Sequence, residues 1–270
     1  MKSGILRNAL YLPPKNQLIS SNGKNIITLN LLFFKEGFSY CTQNGKIYSD
    51  VSVFKVSNLN LWEEEVIKEL EINLKLRRNF EQVNVGLISG FFTLVPNQYL
   101  TESRETLLDF SEGEFENNIL LQSETRFGCN FVYGTSLLLT EKLSELYRNV
   151  NFYHSGTVFL NAVETEKEKT LYLNLNYNQL EIFVAADADV IFYNLIETPT
   201  VEDVLFFTLF TAEQLNLDLN QISVNCYGEL MPDNQAFQML KKYVRNLNTA
   251  MKNEVFLKNF TLFNLSSCES

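Results

Sequence analysis

Three closely spaced runs of apolar and β-branched residues, 26–34, 38–42 and 47–56, predict the first strands of a sheet. The turns Glu36-Gly37 and Asn44-Gly45 separate them, and Asn-Gly is a typical hairpin turn. Because strands joined by such short turns pair side by side, the pattern predicts an antiparallel meander at this point of the chain.

An apolar stripe at helical spacing predicts that a helix follows this meander. Asn58 or Asn60 is expected to cap its start. Acids at 63–65 fill the first turn and basic residues at 75–78 the last turn, which suits the helix dipole. We expect the largest apolar side chain to anchor a core, and the stripe consists of Trp62, Val66, Ile67, Leu70 and Leu74.

Further alternation and capping signals predict the remaining elements. Before the charge run 164–169 we expect strands at 83–89, 91–95, 119–123 and 130–133, helices at 98–109, 136–148 and 156–162, and an acidic loop at 111–118. After it we expect strands at 171–176, 180–185, 190–196, 221–228 and 260–265, and helices at 201–215 and 235–243. Ser155 is expected to cap the helix at 156–162.

The order of these elements repeats: three strands, a helix, a strand and a helix occur in each half. Asn30-Leu31 of the first half corresponds to Asn174-Leu175 of the second, 144 residues further on. We therefore predict an internal duplication. The predicted organisation is an arm at 1–25, a first half at 26–150, a joint at 151–167 and a second half at 168–270.

Composition and net charge exclude one class of protein and argue against one class of partner. The chain is 46% hydrophobic and 13% aromatic, which excludes a disordered protein, and its net charge of −10 argues against a nucleic-acid partner. The basic residues are distributed unevenly along the chain. Residues 1–35 contain five of them and no acidic residue. This arm either meets an acidic partner or membrane surface or is a solvated terminus.

The positions of the cysteines and the histidine and the lengths of the apolar runs bear on metal binding and on location in the cell. The four cysteines are far apart and the single histidine has no partner at ligand spacing, so no metal site is expected. Scattered thiols suit a reducing compartment, and the apolar runs are too short to span a membrane. We expect a cytoplasmic protein without a membrane span.

Two tandem units of three antiparallel strands followed by alternating helices and strands match the actin-like ATPase architecture. Its α/β fold consists of duplicated ribonuclease-H-like mixed sheets with flanking helices. Over about residues 25–268 the chain resembles a bacterial family of unknown function with this fold. The residues that carry the resemblance are Phe92-Thr93-Leu94-Val95-Pro96-Asn97, the helix to Leu108-Asp109-Phe110, and Phe152-Tyr153-His154.

Actin-like ATPases hold phosphate in the turn between the first two strands of each half, with Asp at the end of the first strand and Gly in the turn. The first half has Asn30, Phe33 and Lys35 in this region. The candidate positions of the second half are Asn174, Asn176 and Asn178. Gly228 lies in the segment that corresponds to the adenosine-binding loop, and an acidic residue follows it. Because Asn lacks the carboxylate charge that helps to hold Mg²⁺, we expect no ATP hydrolysis and assign no catalytic residue.

A ribonuclease-H-type nuclease needs several carboxylates that converge on paired metal ions. Asn30 and Asn174 stand at the leading carboxylate positions, which argues against this activity. His154 is interpreted either as a polar switch at the joint between the halves or as a structural residue that caps the next helix.

Two hypotheses for function remain. The first is a catalytically inactive module that binds an unidentified protein or peptide in the cleft or on a sheet edge, with no cofactor, and Phe33 and Tyr177 filling the cleft would favour it. The second is a divergent binder of ATP and Mg²⁺, which Lys35 directed into the cleft, with Asn30 facing Asn174, would favour. The sequence leaves the oligomeric state open.

Overall fold

The computed structural model of the chain describes residues 27–100, 117–250 and 252–268. The predicted arm 1–25, residues 111–116 of the acidic loop and most of the predicted helix 98–109 lie outside this part. The described strands are β1 (Ile27–Phe34), β2 (Gly37–Asn44), β3 (Ile47–Tyr48), β4 (Ser52–Lys55), β5 (Gln82–Leu87), β6 (Phe92–Pro96), β7 (Asn118–Glu124), β8 (Cys129–Ser136), β9 (Val150–His154), β10 (Thr170–Asn176), β11 (Gln179–Ala186), β12 (Asp189–Glu197), β13 (Ser223–Gly228) and β14 (Asn246–Thr249).

Helices connect these strands and cover the sheets. They are α1 (Trp62–Ile72), α2 (Leu137–Leu146), α3 (Ser155–Ala162), α4 (Val201–Gln214), α5 (Gln235–Leu240), α6 (Glu254–Lys258) and α7 (Phe260–Asn264). Within the described ranges, each helix is too short or too polar to cross a bilayer.

The two large sheets share one plan. In the first, the strand order is β3-β2-β1-β5-β9, and β4 also pairs with β2. In the second, the order is β12-β11-β10-β13-β14. Each sheet has an antiparallel hairpin, β1–β2 or β10–β11, and two further strands that run parallel to the first strand of that hairpin. The carboxyl ends of the parallel strands therefore lie on one edge of each sheet.

A third sheet, with the order β6-β8-β7, is inserted between β5 and β9 and is wholly antiparallel. One apolar core continues from the first half into the second: Leu31 and Val85 of the first sheet belong to the same buried cluster as Tyr172 and Phe183 of the second. Phe159 of α3 is part of it as well. The halves are thus joined by a shared core.

Several predicted elements differ from the structure. The helix α1 ends at Ile72, so the basic residues 75–78 lie beyond it, and Asn58 caps only the 3-10 turn before it. The predicted strand 47–56 is divided into β3 and β4, which pair with different parts of β2. The edge strand β14 was not predicted.

The predicted strand at 260–265 is wrong, because Phe260–Asn264 is helical. Its residues Phe260, Leu262 and Phe263 are all buried, and an apolar segment that is buried on every side shows no period that distinguishes helix from strand. The cap of α3 also differs: the side chain of His154, not of Ser155, accepts the hydrogen bond from the first turn.

Candidate functional site

The turns that correspond to the phosphate-binding turns of actin-like ATPases are both tight. Phe34 pairs with Gly37 around Lys35-Glu36, and Asn176 pairs with Gln179 around Tyr177-Asn178. Tyr177 and Asn178 have φ angles of 50° and 59°, as a type I′ hairpin turn requires. Both turns lie at the carboxyl ends of the first strands of their sheets.

These two turns contact each other through their side chains. The ring of Phe34 stacks on that of Tyr177 with a centroid distance of 3.6 Å and an interplanar angle of 10°. Beside this stack, Lys35 Nζ lies 2.9 Å from a carboxylate oxygen of Glu197, which ends β12. An aromatic stack and an ion pair thus connect the first half to the second at the edge where a phosphate chain would lie.

The residue that meets Tyr177 is Phe34, whereas the sequence suggested Phe33. Phe33 points to the other face of β1, where it packs against Phe38 and Trp62. Lys35 does not point freely into a cleft, because Glu197 holds its ammonium group.

Asn30 and Asn174 are buried and do not bind each other. Asn30 Oδ1 accepts a hydrogen bond from the hydroxyl of Ser266 at 3.0 Å. Asn174 Nδ2 donates to Thr261 Oγ1 at 2.9 Å, and Asn176 donates to the same hydroxyl oxygen at 3.2 Å. Both hydroxyl groups belong to the C-terminal segment 260–268, so these asparagines attach the central strands to that segment.

The other second-half candidates form backbone contacts. The carbonyl oxygen of Asn178 accepts from the amide of Thr198 at 2.7 Å. Gly228 has a φ of 67°, and a β-carbon there would lie 2.1 Å from the carbonyl oxygen of Leu175. Glu229, which follows it, accepts from the amide of Tyr177 at 3.3 Å. A carboxylate therefore binds the second turn at an amide that a phosphate would need.

A buried carboxyl group in the second half was missed by sequence reasoning. Glu181 is 1% exposed, and its oxygens accept hydrogen bonds from Tyr193 at 2.7 Å and from Asn174 at 2.6 Å. Burial raises the pKa of this carboxyl group to about 7. The only sequence signal was an acid among the apolar residues of the predicted strand 180–185.

His154 is a buried structural residue at the joint. Its Nδ1 accepts from the amide of Gly156 at 3.0 Å, so Nε2 carries the proton and donates to the carbonyl of Ser89 at 2.9 Å. The ring also stacks on Phe131, at 4.6 Å between centroids. Burial lowers its pKa to about 4, which keeps it neutral. Both ring nitrogens are occupied, so neither is available to a ligand.

An apolar cavity of about 490 Å³ lies beside the first turn, at the carboxyl ends of β1 and β5. In open α/β sheets, ligands bind at this end of the strands. Its walls come from β1, the start of α1, the end of β5 and the end of β8. They include the aromatic residues Phe33, Phe34, Trp62 and Phe91 and the aliphatic residues Leu59, Leu87, Ile88 and Leu139.

A second cavity, of about 500 Å³, lies between the halves next to the second turn. Asn176, Tyr177 and Glu229 line it from the second half, and Ser39 and Lys55 line it from the first. Neither cavity offers a metal site: within the described part of the chain, no three His, Cys, Asp or Glu side chains lie together in a way that could hold a metal ion.

Comparison with known families assigns the chain. It belongs to the family described as protein of unknown function (DUF3822), whose profile matches residues 17–247. No curated protein matches the chain.

Solved structures show the fold. A protein of unknown function with an actin-like ATPase fold from Bacteroides thetaiotaomicron VPI-5482 is 19% identical, with a TM-score of 0.78, over 91% of this chain and 97% of its own. A chain of the PilM-PilN type IV pilus biogenesis complex is 10% identical, with a TM-score of 0.57, over 92% and 100%. The ethanolamine utilization protein EutJ from Carboxydothermus hydrogenoformans is 9% identical, with a TM-score of 0.52, over 97% and 93%. These matches confirm the actin-like fold expected from the sequence.

The buried carboxyl group of Glu181 makes stability depend on pH. Its folded pKa of about 7 exceeds the ordinary value of 4.5, so the folded state binds more protons between these values. The stability that it contributes is complete below pH 4.5 and is lost as the pH rises through 7. We expect Glu181→Gln to gain up to about 3 kcal/mol in free energy of unfolding relative to the wild type between pH 4.5 and pH 8.

Urea unfolding of both proteins across this pH range measures the difference. The exposed Glu168→Gln, which also removes one carboxyl group, is the matched control. A difference between Glu181→Gln and the wild type that stays constant with pH would show that the buried carboxyl group keeps an ordinary pKa.

The contact between the two turns should be held mainly by the aromatic stack. A double-mutant cycle with Phe34→Leu and Tyr177→Leu is expected to give a coupling free energy of about 1 kcal/mol that does not change with salt. The side chains of Lys35 and Glu197 are 53% and 60% exposed. A cycle with Lys35→Met and Glu197→Gln should therefore give a coupling below about 1 kcal/mol that decreases in 1 M NaCl. A stacking coupling near zero would contradict the observed contact.

Proposed function

We propose that this protein is a catalytically inactive actin-like module that binds a segment of a partner protein. The observation that carries this proposal is the stack of Phe34 on Tyr177, which brings the two phosphate-type turns into contact. A nucleotide's phosphate chain needs that space, together with free backbone amides on both sides of it.

Charges around the turns support the proposal. Glu229 accepts from the Tyr177 amide, and Glu197 pairs with Lys35. These carboxylates would repel a phosphate chain, and the one lysine in the first turn is already neutralised. Asn30 and Asn174 supply no charge to a magnesium ion, and each binds the C-terminal segment instead.

A structural relative makes partner binding plausible for this fold. The chain from the PilM-PilN type IV pilus biogenesis complex is assembled with another protein. At 10% identity the likeness extends to the fold alone, so the role is brought to this chain as part of the proposal. All four cysteines are free, which fits action in a reducing compartment such as the cytoplasm.

The alternative, a divergent ATP binder, requires the turns to separate. The phosphate chain would have to displace the Phe34 ring from Tyr177 and detach Lys35 from Glu197. Opening the turns would cost free energy, and this cost would reduce the observed affinity for the nucleotide.

Thermal unfolding with and without millimolar Mg·ATP or Mg·GTP tests the proposal. We expect no rise in melting temperature beyond that given by magnesium tripolyphosphate at the same ionic strength. A nucleotide present at 100 times its Kd would add about 2.7 kcal/mol and several degrees. A nucleotide-specific rise of this size would refute the closed site and support the alternative.

A further inference from the structure

We propose that the N-terminal arm 1–25 docks on the outer face of α4, the face that this helix turns away from the second sheet. The inference goes beyond the proposed function, because it assigns a segment of the chain itself to a surface outside both turns. The outer face consists of Glu202, Phe206, Leu209, Phe210 and Glu213.

The outer face of α4 carries a pair of exposed aromatic rings. Phe206 is 58% exposed and Phe210 is 47% exposed, and their rings stack with a centroid distance of 5.8 Å. The opposite side of the helix is buried against the second half, where Val204 belongs to the apolar core. A helix that is apolar on both sides is normally covered on both sides. Among the described residues, no segment covers these two rings.

Acidic residues flank the rings along the helix. Glu202 precedes Phe206 by four residues and Glu213 follows Phe210 by three, so helical spacing places all of them on one side. Both glutamates are exposed, and neither forms an ion pair with a basic residue of the described part. The wider surroundings have the same sign, because residues 170–240 contain ten acidic residues and no basic one. The face therefore suits an occupant that combines apolar side chains with positive charge.

The same charge argues against two other occupants. A second copy of this face would bring its glutamates against those of the first copy, and like charges across an interface are costly. The cytoplasmic surface of a membrane is negative and would also be repelled. A basic segment is the occupant that remains.

The arm 1–25 has this chemistry. It contains four basic residues and no acidic residue, namely Lys2, Arg7, Lys15 and Lys24. Its large apolar residues are concentrated between the first and third of these, at Ile5, Leu6, Leu10, Tyr11 and Leu12. The chain thus holds an apolar basic segment and an apolar acidic face that complement each other.

The length of the chain permits this contact. Leu12 precedes Ile27, the first residue of β1, by 15 residues, which span about 50 Å when extended. A compact chain of this length has a radius of gyration of about 18 Å and is therefore about 50 Å wide. Because the arm is tethered to the body, its effective concentration is high and a modest affinity is enough to hold it.

Photo-crosslinking in the full-length protein tests the contact. The photoreactive p-benzoylphenylalanine replaces Phe206, and the crosslinked peptides are identified by digestion and mass spectrometry. We expect crosslinks to residues 1–15 in a product with the mass of a monomer. The matched control carries the same amino acid at Leu74, which is 78% exposed. Its crosslinks to the arm report random encounters and should be at least about fivefold fewer.

An exchange of charges tests the chemistry. Arg7→Glu together with Lys15→Glu should lower the yield from position 206 at least about fivefold, because acidic side chains then meet an acidic face. Adding Glu202→Lys and Glu213→Lys should restore about half of the yield or more, because the charges are opposite again. Circular dichroism and thermal melting of each variant check that the fold is kept.

Three results would overturn the proposal. Crosslinks to the arm that are no more frequent from position 206 than from position 74 would show that the arm does not dock on α4. A yield that the charge exchange leaves unchanged would show that charge does not select the arm. Crosslinks in a product with the mass of a dimer would assign the face to the arm of a second copy and overturn the intramolecular contact.

Discussion

Phe34 of the first half stacks on Tyr177 of the second, and this contact determines what the edge between the two sheets can hold. Both residues belong to tight turns at the carboxyl ends of central strands, where an actin-like fold would receive phosphate. Two flat rings in contact bury apolar surface from each half, which links the turns. Under the proposed function, the fold is kept and a nucleotide finds no place at this edge.

The uncharged side chains of Asn30 and Asn174 fit the same proposal of a site without a phosphate chain. Charged residues at positions 30 and 174 would be buried without a metal ion, and an isolated buried carboxylate is very costly. As asparagines, they donate to or accept from Thr261 and Ser266. Positions that would hold a cation in an ATPase thereby become polar contacts that attach the C-terminal segment to both sheets.

Sequence patterns predicted the hairpins and the fold, because turn residues and strand alternation act locally. They could not predict which of Phe33 and Phe34 reaches Tyr177, since a shift of one residue exchanges the faces of a strand. The helix at 260–265 was misread because it is buried on all sides. The cavity and the Glu181 cluster were beyond prediction, because distant segments meet there only after folding.

The most direct test of the account is a crystal structure of the protein grown with millimolar Mg²⁺ and a non-hydrolysable ATP analogue. We predict Phe34 stacked on Tyr177, Lys35 paired with Glu197, and no nucleotide between the turns. Turns that have moved apart around a bound triphosphate, with Lys35 on its phosphates, would contradict the central claim that this edge is closed.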